Sequence, residues 1–160
     1  VTHVNAEILL TNWTIGEYIS NQLQSAQWGN KVVSDLADYI KRHNPKLRGY
    51  SKRNLYNMVK FYDTYSHDQF HTLAQSLHVD EFVQLPTAQI ATAPMVQLPT
   101  AQINHVQSRK IIPPVLAATT FTNHVEIINR CKTDDERIFY MLYASQQQLK
   151  TEELRVGLTV

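Results

Sequence analysis

The octapeptide Val-Gln-Leu-Pro-Thr-Ala-Gln-Ile occurs twice without a mismatch, at 83–90 and 96–103, joined by Ala-Thr-Ala-Pro-Met. Proline has no N–H to give to a helix, and its ring clashes with the preceding turn. Pro86, Pro94 and Pro99 therefore exclude one continuous helix across the stretch. Two copies are also too few for a solenoid, which generally needs about three or more repeats of about 20 residues. The segment 79–113, closed by Pro113-Pro114, is expected to be a loop or arm, either irregular or forming short strands. It divides the chain into halves at 1–78 and 114–160, which at 160 residues in total can share one core as a single domain.

Both halves carry helical periodicity. Ile8, Leu9, Ile15, Ile19 and Leu23 recur at three- and four-residue steps and predict an amphipathic helix from Val4 to about Gln27, with Trp13 on a neighbouring face. Gly16 lies inside it, where glycine costs about 1 kcal/mol relative to alanine, and its presence is explained if another backbone packs closely there. After Gly29-Asn30, a stripe of Val32, Val33, Leu36, Ala37 and Ile40 predicts a second helix, ended by Asn44-Pro45. Gly49-Tyr50 turns the chain, and Ser51 is the expected N-cap of a third helix through about Tyr65, with Leu55, Met58, Val59 and Tyr62 inward. Phe70, Leu73 and Leu77 mark a shorter segment beyond His67. In the second half, Val115 to Ala118, Phe121 to Arg130 and Asp134 to about Gln146 read as helices, the last with Ile138, Phe139, Leu142 and Tyr143 on one side. Thr133 as N-cap with Glu136 three residues on is a helix start, and a final short helix begins at Thr151. The fold class is all-α, with a helix, short turn and helix in the first half resembling a helix-turn-helix.

With 43% hydrophobic and 18% charged residues the chain can build a core, which excludes disorder throughout. No apolar run approaches the roughly 18–20 residues of a membrane span, and the N-terminus lacks a signal-peptide layout, so a soluble, cytoplasmic protein without a membrane partner is expected. The single Cys131 suits a reducing compartment and reads as a small buried apolar group.

Catalytic patterns are not found. His67 and His71 share a helical face at metal-site spacing, but Asp68 stands where a zinc protease needs Glu, and a third ligand is lacking. Four glycines give no material for a phosphate loop. Asp134, Asp135 and Glu136 are consecutive in a capping context, whereas nuclease carboxylates converge from separated positions. No enzyme activity, metal or cofactor is expected of this chain.

The distribution of charge says more than the net +1. Between Lys31 and Lys60 stand eight basic side chains against only Asp35 and Asp38, while the chain beyond Val125 is acidic or neutral. In a helix-turn-helix the start of the second helix approaches DNA, its N–H groups and cations meeting phosphates and a few polar side chains reaching base edges. Ser51, Lys52, Arg53, Asn54 and Asn57 are suitable residue types there, with Arg42, Lys46, Arg48 and Lys60 as further backbone contacts. The same residues also describe the solvated face of an ordinary helix, and Lys41 and Arg42 suit a helix C-terminus without any ligand. Tyr50, Tyr56, Phe61, Tyr62 and Tyr65 could be stacking platforms, but at helical spacing core or partner contact is simpler.

Trp13-Thr14-Ile15-Gly16, Gly29 and the run Gly49-Tyr50-Ser51-Lys52-Arg53-Asn54-Leu55, followed by Met58 and Phe61-Tyr62, resemble the N-terminal domain of the YhcG family, regarded as PDDEXK-type nucleases. Phe121-Thr122-Asn123-His124, Arg137-Ile138-Phe139-Tyr140 and Glu153-Leu154 resemble the family's later block, although Phe121 and Leu149 stand where tryptophans are common. The resemblance implies an isolated N-terminal domain whose nuclease part would lie C-terminal to it, with a helical, DNA-binding role and catalytic residues elsewhere. The expected partners are double-stranded DNA and that nuclease domain. The rival expectation is a protein-interaction or dimerisation module, with charge polarity suited to head-to-tail homodimers.

Overall fold

The computed structural model describes residues 2–25, 28–77 and 112–159. Among these, seven α-helices and one 3-10 turn are found and no strand. They are α1 (Thr2–Gln24), α2 (Asn30–His43), α3 (Lys52–Tyr65), α4 (Asp68–Ser76), the 3-10 turn Pro114–Ala118, α5 (Phe121–Arg130), α6 (Asp134–Gln146) and α7 (Thr151–Leu158). The duplicated octapeptide, and with it the expectation of a loop or short strands, lies outside the described residues.

The closest helix pair is α1 against α3, and Gly16 explains it. A Cβ built there would fall 2.0 Å from the carbonyl oxygen of Met58, so only glycine lets the two backbones meet. The contact also sets the rotation of α1. Residues at helical steps around Gly16, namely Leu9, Asn12, Trp13, Ile19 and Ser20, are buried, and Ile8 is turned to solvent at 48% exposure. Trp13 is therefore a core residue, contrary to its placement on a neighbouring face. It meets Phe61 and Tyr62 edge-on at 5.7 and 5.2 Å. Below Gly16 the Ser20 hydroxyl donates to the Asp63 carboxylate at 2.7 Å, fixing the register of the pair.

The second half closes the same core. Leu116, Ile127, Met141 and Leu154 share one apolar cluster with Leu9, Trp13, Leu55, Phe61 and Phe70, and Asn5 of α1 donates to the Thr119 carbonyl at 2.9 Å. Asn123 is the polar knot of this half. Its amide donates to Thr119 Oγ1 at 2.7 Å and its oxygen accepts from Thr151 Oγ1 at 2.8 Å, joining the starts of α5 and α7. The Thr133 cap forms as expected, with Glu136 reaching back to the Lys132 N–H. In α6 the inward residues are Ile138, Met141 and Ala144, while Phe139 and Tyr143 stay exposed. Apolar side chains surround that helix on several sides, so periodicity alone chose the wrong stripe. Cys131 is buried, in keeping with its apolar reading.

Candidate nucleic-acid interface

The connection from α2 to α3 runs from Asn44 to Ser51, eight residues rather than the about 3–4 of a helix-turn-helix turn. The turn is longer than that motif's and carries its own scaffold. The Asn44 N–H caps α2 on the Ile40 carbonyl at 2.8 Å, and Leu47 N–H returns to the Asn44 carbonyl at 2.9 Å. Gly49 has φ +88, a backbone region that side chains disfavour. The Asn54 amide donates to the Gly49 carbonyl at 2.5 Å, holding the turn against the first turn of α3. Asn57 donates to Asn54 Oδ1 at 3.5 Å.

Ser51 is the N-cap of α3, its Oγ accepting from the Asn54 N–H at 3.1 Å. Replacing Ser51 by alanine is expected to lower stability by about 1 kcal/mol in urea denaturation, with Ser51→Asp restoring it. Past the cap, Lys52 and Arg53 are exposed, as are Lys46 and Arg48 on the turn and Arg42 in the last turn of α2. The structure thus gathers Arg48, Ser51, Lys52 and Arg53 around one helix start, where free backbone N–H groups and the helix dipole add positive potential. It does not gather all nine expected residues. Asp35 and Asp38 sit beside Arg42 on α2. Lys60 lies two turns along α3, donating to Asn129 Oδ1 of α5 at 3.4 Å, and Asn54 is engaged in holding the turn. Of the aromatic residues, Phe61 and Tyr65 are fully buried, which removes them as stacking platforms, while Tyr50, Tyr56 and Tyr62 are half-buried.

Beside this helix start lies a groove of about 500 Å³ between α1, the turn and the beginnings of α3 and α5. Ile8, Asn12, Arg48, Tyr50, Asn54 and Phe121 are among its walls. Asn12 escaped the sequence reading. Its only signal was a polar residue on the stripe that Gly16 turns inward.

Residues 1–93 match the family model of the DUF1016 N-terminal domain. The chain belongs to the DUF1016 family. This is the YhcG-type family, so the resemblance carried by the Trp-Thr-Ile-Gly and Gly-Tyr-Ser-Lys-Arg-Asn-Leu segments is shown. The match takes in α1 to α4 of this DUF1016 domain, while α5 to α7 lie outside it yet complete its core. No curated protein and no solved structure matches. No helix among the described residues is long and apolar enough to cross a membrane.

Proposed function

We propose that this DUF1016 domain is a non-catalytic module that binds double-stranded DNA with the start of α3 and the turn before it, and positions that DNA for a nuclease domain elsewhere in the protein. The observation that carries the reading is the exposed group Arg48, Lys52 and Arg53 at a capped helix N-terminus. Lys52 and Arg53 meet phosphates or base edges, and Lys46 and Arg48 add backbone contacts. Asn54 serves by fixing the turn that presents them.

Titration of labelled duplex at two salt concentrations tests it. Non-specific dissociation constants of about 10⁻⁴ to 10⁻⁶ M that rise steeply with salt are expected. A Lys52→Ala/Arg53→Ala variant should bind about tenfold more weakly near physiological salt and show a shallower salt slope. No binding at low salt, or an unaffected variant, sinks the reading.

A second reading has its own observation. Val4 and Ile8, which line the groove from α1, and Tyr18, edge-on to Trp28, are 59%, 48% and 57% exposed, apolar surface suited to a protein partner or a second copy. Light scattering at high concentration decides it, since a strict monomer that captures no partner excludes a dimerisation role.

A further inference from the structure

Helix α6 is apolar on two sides. Ile138, Met141 and Ala144 point to the core, and at about 100° per residue Phe139 and Tyr143 fall on the opposite side. These two rings lie parallel at 6.1 Å and are 60% and 40% exposed. A soluble helix with two apolar sides is normally covered on both, and an exposed aromatic pair marks an interaction surface. Asp135 stands one turn before Phe139 in the same row, and with Glu136 beside it makes that end of the face acidic. Asp135 takes part in no ion pair among the described residues. The acids repel phosphates, which excludes a nucleic-acid strand from this face and leaves a protein surface as the fitting occupant.

A surface of the opposite charge stands on the same chain. Near the end of α2, Tyr39 and His43 stack at 3.9 Å, and Tyr39 is 53% exposed. Leu47 follows on the turn at 51% exposure. Its sequence neighbours Lys46 and Arg48 are both exposed and form no ion pair among the described residues. Arg42 is offset by Asp35 and Asp38 beside it, so the positive excess belongs to Lys46 and Arg48. The two surfaces match in kind, each an apolar centre with unpaired charge at its edge, and they oppose in sign. Different elements carry them, as α2 packs on α3 whereas α6 packs on α4, α5 and the 3-10 turn. Laying two copies together by the same surface would set acid against acid or base against base, a juxtaposition that specific interfaces avoid. Meeting basic surface to acidic surface removes the conflict.

We propose that copies of this chain associate head to tail, with Tyr39 and Leu47 of one copy on Phe139 and Tyr143 of the next, and Lys46 and Arg48 on Asp135 and Glu136. Such a contact uses a different surface on each side, so it continues into a ring or a filament. It involves the end of α2 and the outer face of α6 rather than the exposed residues of α1, and it stands without the DNA reading.

Sedimentation velocity on the full chain tests it with two single variants. The wild type should associate increasingly with concentration, and less as salt rises. Phe139→Asp spoils the acidic surface alone and Leu47→Asp the basic one alone. Each should weaken association about tenfold or more and so stay monomeric, with an unchanged melting temperature because both residues are exposed. If Leu47→Asp melts lower, Lys46→Glu takes its place. Mixed in equal amounts, the two variants should recover a dimer and nothing larger, since each keeps the surface that the other has lost. A wild type that stays monomeric, or whose association ignores salt, overturns the inference, as do variants that associate like the wild type. A mixture that stays monomeric also overturns it and assigns association to a face that pairs with itself. Phe139→Asp should keep the wild-type affinity for duplex DNA, so this inference and the DNA reading fail separately.

Discussion

A Gly16→Ala variant is expected to lose about 3 kcal/mol or more of stability, or to fail to fold, as read by urea denaturation and thermal melting followed by circular dichroism. Two physical effects oppose each other at this position. Alanine is the better helix former by about 1 kcal/mol, which alone makes the variant more stable. The new methyl, however, would stand 2.0 Å from the Met58 carbonyl oxygen and 2.5 Å from its carbon. Those atoms are main chain of the facing helix, so no rotamer change clears them, and α1 and α3 must separate along their length. Separation would unpack Trp13 from Phe61 and Tyr62 and pull Ser20 from Asp63. Against a total of about 5–15 kcal/mol for an ordinary domain, that loss is severe. The sign decides between the effects, because a stabilised Gly16→Ala protein would show that the backbones do not meet.

Acidification from neutrality is expected to cost this domain about 3 kcal/mol between pH 6.5 and 4 through His124 alone. His124 is fully buried, with Nε2 at 2.6 Å from the Leu116 carbonyl and the rings of Phe61 and Tyr65 at 5.3 and 5.6 Å. A hydrogen bond to a carbonyl requires the proton on Nε2. Nδ1 then keeps a lone pair that has no partner among the described groups. Burial opposes the charged ring and lowers its pKa from 6.5 to about 4, with the Leu116 bond pulling weakly the other way. The folded pKa is the depressed one. The unfolded chain therefore takes up a proton below about 6.5 that the folded chain refuses until about 4, and stability present above pH 6.5 is lost across that window. Glu126, lowered chiefly by its hydrogen bond from Arg155, adds its own loss only at more acid pH. Urea midpoints at pH 7.5, 5.5 and 4.5 should fall in the wild type and flatten in His124→Gln, which keeps an N–H for Leu116. Parallel slopes in the two proteins would remove His124 as the cause.

Much of the architecture could be read from the residues, for reasons that differ by element. Ser51 and Thr133 announced their helices because capping depends on a side chain and its near neighbours. Gly16 was legible because a glycine inside a strong helical period is a cost that needs a reason. What escaped depends on distant partners. The facing of α1 and α6 was misread at Trp13, Ile8 and Phe139, since both helices carry apolar residues on more than one side and only the neighbour decides which side is covered. Lys52 and Arg53 were found as a basic pair, but the bond from Asn54 to Gly49 requires a turn whose path no local pattern specifies.

The core joins Leu9, Leu55 and Phe61 to Leu116, Ile127, Met141 and Leu154, residues on opposite sides of the end of the family match. Neither set can be uncovered without exposing the other, so a single cooperative melting transition is expected. The family match ends at residue 93, whereas the core that it enters is completed by residues beyond it. Substitutions in α5 to α7 are therefore expected to reach the turn before α3 as changes in how often the whole fold opens.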